Sequence, residues 1–379
     1  MKSFDLHPQP RVVFGCGSIE QLGSLAREWS PQRVLLVSDP GVVAVGHAER
    51  GTESLSRAGI ETHLFEGVHE NPTSEDVERG VVFAQCIEPD LIVGLGGGSS
   101  MDCAKGINFL FSCGGSMEDY WGIGKATGPL LPMIAVPTTA GTGSESQSFA
   151  LISHPDTNQK MACGDSRAAF RIALLDPELT LTQPPRVTAL TGIDAITHAL
   201  ETFVTSARTP ISIAYSREAW RLLANHFLRV LEVPDDVDAR SHVQLGACFA
   251  GMAIENSMLG AAHALANPLT AKFGIVHGQA VGAMMPHVIR FNAAVAESEY
   301  EELRGMVGTS GTASGATNLA DLVSDWVDRA GLLTRLRDLG VEKGDLSDLA
   351  AGAAEQWTAG FNPRKVEVQQ FHDLYLSAY

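Results

Sequence analysis

Cysteine is scarce in this chain and shows no pairing pattern: Cys16, Cys86, Cys103, Cys113, Cys163 and Cys248 are the only six in 379 residues, with no CxxC motif. That excludes a disulfide framework and a thiolate metal site, and leaves reduced, mostly buried thiols as the expectation. Long apolar runs are missing as well. No stretch reaches the roughly 18 uncharged apolar residues that a membrane span requires. The start, MKSFDLHPQPRVVFG, has no basic region followed by an apolar block. Neither a membrane partner nor a secretory signal is expected, and the expected location is the cytoplasm. Positive charge is in deficit: 27 Lys and Arg face 44 Asp and Glu, a formal net charge of −17. Such a chain repels phosphate backbones and anionic lipid, so nucleic-acid partners are not expected. No internal repeat or low-complexity tract is evident.

What is present is ordinary globular composition, 45% hydrophobic and 19% charged, over a length that suits about two domains. In the first half, short apolar runs alternate with helical spacing. RVLLVSD (33–39), IETHLF (60–65), DLIVGLG (90–96), PMIAVPTT (132–139) and RIALLD (171–176) read as strands. Several are continuously apolar, as strands buried on both faces of a parallel sheet are. The helical stretches between them make a βαβ succession, which predicts a doubly wound, mostly parallel sheet. After residue 185 the texture changes to long segments with apolar residues at three- and four-residue intervals, such as RVTALTGIDAITHALETFVT and ATNLADLVSDWVDRAGLLTRL. The expectation is an α/β N-terminal dinucleotide-binding domain over 1–185 and an all-α C-terminal domain over 186–379, divided at Pro184–Pro185.

Three features of the first half point to a dinucleotide. GLGGGSSMDCAK (94–105) follows a strand and opens a helix. Bare amides at Gly96, Gly97 and Gly98 would admit a pyrophosphate at the positive end of that helix. PTTAGTGSES (137–146) also follows a strand, and its hydroxyls at Thr138, Thr139, Thr142 and Ser144 can serve phosphate or ribose oxygens. Asp39 ends the second apolar strand, where a carboxylate accepts from a ribose 2′-hydroxyl and repels a 2′-phosphate, favouring NAD over NADP. Each has a plainer reading: a tight corner, a capping loop, and a DPG turn.

The second half carries a pair of imidazole-bearing segments. Asp194 and His198 stand four apart in TGIDAITHALETF, on one face of a helix; His263 and His277 stand fourteen apart further on. Singly, each is as readily a hydrogen-bonded core residue. Together, one carboxylate and three imidazoles form a donor set that suits Fe(II), Zn(II), Co(II) or Ni(II) better than Mg(II).

FGCGS, NPT at 71–73, GGGSSMDCAK, PTTAGTGSE, DPELT, DAITHALE and the tract from Gly260 through PHVIRFN (286–292) occur in an order that resembles the iron-dependent, or group III, alcohol dehydrogenase family across nearly the whole chain. The resemblance implies a small primary alcohol or aldehyde as substrate, NAD(H) as cofactor and a divalent metal, Fe2+ or alternatively Zn2+, in a cleft between two domains. It assigns the metal to Asp194, His198, His263 and His277. It assigns the cofactor to Asp39, Asn71, Gly97, Gly98, Ser99, Asp102, Thr138, Thr139, Thr142 and Lys160. A metal with open coordination would act as a Lewis acid on the substrate oxygen, while the nicotinamide carries the hydride.

His277, the last ligand, and Asn267 stand at the expected catalytic step. Many members carry a histidine where this chain has Asn267, there thought to relay the alcohol proton; asparagine takes up no proton, so the relay must differ. Glu201 and His287 are candidates to orient the ligands. Lys160, Arg167 and Arg171 in KMACGDSRAAFR suggest an alternative, reduction of a small anionic aldehyde such as a phosphonate or sulfonate; otherwise they are charges on a solvated helix. A dehydroquinate-synthase-like NAD-dependent lyase is a second alternative, disfavoured by the aspartate-led donor set. A homodimer is expected on symmetry grounds.

Overall fold

The computed structural model describes residues 4, 6, 10–157, 159–308 and 318–379. The chain forms two compact units. One comprises His7–Thr139 and Gly143–Gln183; the other comprises Met1–Leu6, Ala140–Thr142 and Pro184–Tyr379.

Among its described residues the first unit holds nine strands: β1 (Arg11–Phe14), β2 (Arg33–Val37), β3 (Glu61–Phe65), β4 (Leu91–Gly96), β5 (Gly122–Ile123), β6 (Met133–Pro137), β7 (Phe149–Ser153), β8 (Lys160–Gly164) and β9 (Ile172–Leu175). Its helices are α1 (Leu22–Ala26), α2 (Pro40–Ala44), α3 (His47–Arg57), α4 (Ser74–Ile87) and α5 (Gly98–Cys113). Six strands make one sheet in the order β1-β9-β6-β4-β2-β3, every pair parallel. The apolar runs are continuous because both faces are covered. Leu35, Val37, Ile92 and Ala135 pack with Val77 of α4 and Met101 and Ile107 of α5. Their neighbours Val34, Leu36, Val93 and Val136 pack on the opposite face with Leu22 of α1 and Leu55 of α3. From β2 the chain moves outward to β3 and then returns to place β4 on the other side of β2, so the order reverses between β2 and β4. In open α/β sheets, that reversal leaves a crevice at the carboxyl ends of the strands.

A second, three-stranded sheet, β5-β8-β7, was not among the expected elements. β7 and β8 pair antiparallel, Phe149 opposite Gly164 through Ser153 opposite Lys160. The segment expected as a solvated helix over 160–171 is therefore strand β8 followed by a short 3-10 turn at Ser166–Ala168. GVVAVGHAERGTESLSRAG (41–59), which carries helical spacing between two of the expected strands, likewise divides into α2 and α3 where Gly46 adopts a φ of 85°.

Among its described residues the second unit has helices and no strand: α6 (Pro185–Val204), α7 (Pro210–Glu232), α8 (Val237–Glu255), α9 (Ala261–Phe273), α10 (His277–Gly305, kinked at Ala296), α11 (Leu319–Arg329), α12 (Leu346–Ala354) and α13 (Val368–Ser377). Pro185 at the first position of α6 fits there because that N–H has no helical partner. The helix expected over 316–336 ends at Arg329, before Gly331 at φ 69°; Ala316 and Thr317 lie outside the described residues. Trp220 and Trp326 anchor the core with ring centroids 5.5 Å apart, and the Trp220 indole N–H donates to the Leu303 carbonyl at 2.7 Å. Burying two indoles contributes on the order of 10 kcal/mol of gross transfer free energy before the entropy of ordering them is subtracted. Among the described residues no helix is long and apolar enough to cross a membrane.

Candidate active site

α6 delivers Asp194 and His198 one turn apart on the same face. α9 supplies His263 from its first turn, and α10 begins on His277. Three imidazole Nε2 atoms then surround one carboxylate oxygen: Asp194 Oδ1 lies 3.4 Å from His198, 3.5 Å from His263 and 3.8 Å from His277. These separations are too long for hydrogen bonds among the four. They match donors sharing one cation, since tetrahedral ligands about 2.1 Å from a metal stand about 3.4 Å from one another. Asp194 Oδ1 and His263 Nε2 are buried without a hydrogen-bond partner, a costly condition that a shared cation relieves. Donor atoms of Asp194, His263 and His277 all lie within 4.8 Å of each other. His198 joins through Asp194 and by stacking on His263, with centroids 4.8 Å apart. The residues present fit a divalent metal of borderline softness.

Electrostatics follow from burial and proximity. Burial alone would raise the Asp194 carboxyl, but attraction to His198, His277 and His263 holds it well below the usual carboxylate range. Burial pushes His198 down despite the nearby Asp194 carboxylate. Burial acts on His263 the same way, yet Glu201 and Asp194 outweigh it and push that imidazole up to about 9. A cation bound here therefore displaces a proton.

Of the two orienting candidates, only Glu201 reaches the cluster. Its Oε2 accepts from His263 Nδ1 at 2.5 Å. His287 instead pairs through Nδ1 with Ser377 at 2.9 Å, and burial pushes its imidazole down to about 4. The Asn267 amide donates to Gln356 Oε1 at 2.9 Å, one turn beyond His263 on α9.

In the α/β unit, most of the cofactor candidates gather at the carboxyl ends of β2, β4 and β6. Asp39 caps α2, its Oδ1 accepting from Val42 N–H at 3.0 Å, while Oδ2 accepts from the Ser100 hydroxyl at 3.1 Å. Gly97 is the N-cap of α5, and Gly98 and Ser99 form its first turn. Asn71, at φ 54°, donates its backbone N–H to Ser99 Oγ at 3.3 Å. A methyl group on Gly97 would touch Thr139 at 3.4 Å, and Thr138 N–H donates to the Gly96 carbonyl at 2.9 Å. Gly96 itself has φ +152°, and a Cβ there would stand 2.4 Å from Ser100 Oγ, so the corner admits only glycine. Asp102 accepts from the Ser144 hydroxyl at 2.5 Å. Burial raises the Asp102 carboxyl against the attraction of Lys105 and Lys160. Thr142, by contrast, belongs with Ala140 and Gly141 to the helical unit.

Lys105 and Glu145 are buried ionisable residues of this unit that were not singled out in sequence. Lys105 is fully buried, donating to Ser144 O at 2.8 Å and Phe149 O at 2.7 Å, with Asp102 at 3.7 Å. Glu145 is 4% exposed, and burial pushes its carboxyl up to about 7. Lys105 stands three residues after Asp102 on one helix, a spacing that could have flagged it. Arg167 is committed locally: it pairs with Asp165 at 2.8 Å and donates to the carbonyls of Gly128 and Ala126 at 3.1 and 2.7 Å.

Residues 8–177 match the family described as iron-containing alcohol dehydrogenase, and residues 188–379 match its C-terminal domain family. A 1,3-propanediol dehydrogenase from Klebsiella pneumoniae is 32% identical over 97% of this chain and 96% of its own. A crystal structure of a 1,3-propanediol oxidoreductase superposes with a TM-score of 0.94 at 31% identity, covering 100% of both chains. A sulfoacetaldehyde reductase from Bifidobacterium kashiwanohense, solved with NAD+, is similar at a TM-score of 0.89 and 26% identity, over 100% of this chain and 99% of that one. The chain belongs to the iron-containing alcohol dehydrogenase family and is an oxidoreductase of alcohols and aldehydes.

Proposed function

We propose that this enzyme interconverts small primary alcohols and aldehydes with NAD(H), and that Asp194, His198, His263 and His277 hold its divalent metal, Fe2+ or alternatively Zn2+. The observation that carries the reading is the convergence of three Nε2 atoms on Asp194 Oδ1 at 3.4, 3.5 and 3.8 Å. When bound, the metal supplies Lewis-acid polarisation of the substrate oxygen and the nicotinamide carries the hydride. The buried Asp194 carboxylate offsets cationic charge among three imidazoles, and His277, which is less buried than the other two, is the donor nearest to solvent.

The nucleotide contacts fall to Asp39, Asn71, Gly97, Gly98, Ser99, Asp102, Thr138, Thr139 and Lys160 in the α/β domain, and to Thr142. The first turn of α5 offers backbone amides to pyrophosphate. Asp39, held at both oxygens, presents a fixed negative charge that favours NAD over NADP. The domain assignment is 1–185 for nucleotide and 186–379 for metal and substrate. We place the enzyme in the cytoplasm as a homodimer, the commonest closed assembly.

The anionic-aldehyde reading gains nothing from Arg167, whose guanidinium is used within its own loop. A test is direct. With Fe2+ or Zn2+ restored, the purified protein should oxidise NADH in the presence of a short aldehyde, prefer NADH to NADPH, and lose turnover in Asp194→Ala. No NADH oxidation with either metal and any short neutral or sulfonated aldehyde would refute the proposal.

A further inference from the structure

We propose that Glu201 is the positioning residue of this centre, fixing the His263 ring proton on Nδ1 and so aiming Nε2 at the metal. This rests on the four-residue site proposed above. Asp194, His198 and Glu201 recur at intervals of four and three along α6, which puts all three on one helical face. Glu201 is 3% exposed, and both of its oxygens are occupied. Oε1 accepts from the Ala262 backbone N–H at 2.7 Å and Oε2 from His263 Nδ1 at 2.5 Å.

The backbone around α9 is built to receive this carboxylate. The N-cap of α9 is Gly260, which has no side chain to satisfy the first amides. Glu201 and Asn362 do so instead, Asn362 Oδ1 accepting from Ala261 N–H at 3.3 Å. A methyl group at Gly260 would stand 3.1 Å from both Glu201 Oε1 and Asn362 Oδ1, so a side chain there would crowd both acceptors. The positive end of α9 also favours a carboxylate there.

A carboxylate without a proton only accepts, so the neutral His263 ring must carry its hydrogen on Nδ1. Its lone pair then lies on Nε2, which faces Asp194 Oδ1 at 3.5 Å. Glutamine has one accepting oxygen and one amide that donates. Its amide would face either Ala262 N–H or His263 Nδ1–H, and relief of the second clash moves the ring proton to Nε2, where it blocks the ligand atom.

Zinc serves as the probe. Competition with a chromophoric chelator should show Glu201→Gln binding zinc about 10- to 100-fold more weakly than wild type, the loss typical of removing such a partner. Glu201→Gln also removes the carboxylate paired with His263 and lowers the melting temperature of the metal-free protein, so affinities are compared well below both melts. Equal zinc affinity in the two proteins overturns the proposal, as does a lower melting temperature with affinity unchanged. If wild type itself binds no zinc, or Asp194→Ala binds it as well, the underlying site fails instead. A second measurement needs no folded variant of Glu201. In zinc-loaded wild type with 15N-labelled histidine, the His263 resonance, assigned by its loss in His263→Gln, should show a proton on Nδ1 and metal on Nε2; the reverse arrangement overturns the proposal.

Discussion

Replacing Glu145 with Gln isolates the cost of burying a carboxylate, because the packing change is the same at every pH and the ionisation is not. Burial pushes this carboxyl up to about 7 from 4.5, against the opposing pull of its own backbone N–H and of Lys105. The folded protein thus holds the proton more tightly than the unfolded chain. The sign follows: stability from this group is fully present below pH 4.5 and is lost as pH rises to about 7. Integrating the linkage relation, the loss is about 0.8 kcal/mol at pH 5 and about 3.3 kcal/mol at pH 8. Glutamine has no such dependence. The stability of Glu145→Gln relative to wild type should therefore improve by about 2.5 kcal/mol between those pH values, or roughly 3 °C in the difference of melting temperatures for a chain of this length. Thermal melts of both metal-free proteins across the range measure it. A melting difference that stays constant with pH, or that moves the other way, refutes the reasoning.

Three further outcomes are expected. Asp39→Ala should raise the NADPH-to-NADH ratio of kcat/KM at least about tenfold, since each 1.4 kcal/mol of removed repulsion is a factor of ten; an unchanged ratio contradicts the role of that carboxylate. Lys105→Met should destabilise the protein by about 3–5 kcal/mol by stranding Asp102 and the Ser144 and Phe149 carbonyls, and an unchanged denaturation midpoint would show the cation to be dispensable. Asn267→His must break the 2.9 Å bond to Gln356 and adds a group that titrates near neutrality; the pH profile of kcat should change, and an identical profile would remove residue 267 from the proton path.

The inner strands of the large sheet were legible because they are buried on both faces: Val34–Val37, Leu91–Gly96 and Met133–Pro137 are apolar throughout and need no partner to be recognised, whereas the half-exposed edge strand β1 was not among the expected strands. The small sheet was not. β5 has two residues, and β8 starts at a lysine, so neither carries a period long enough to separate from helix. Asp194 and His198 declared themselves through a four-residue spacing on one helix. Their meeting with His263 and His277 depends on how α6, α9 and α10 pack, which no local pattern encodes. Glu201 illustrates the limit: its place on the face of Asp194 is readable, but its two acceptors meet amide and imidazole 61 and 62 residues away. Asn362, which shares the cap of α9, lies 101 residues from its partner and had no sequence signal.

X-ray absorption on the Fe(II)-loaded enzyme tests the central claim most directly. The account predicts three imidazole nitrogens and a carboxylate oxygen around the iron, from His198, His263, His277 and Asp194. A sulfur neighbour, or fewer than three imidazoles, would contradict it.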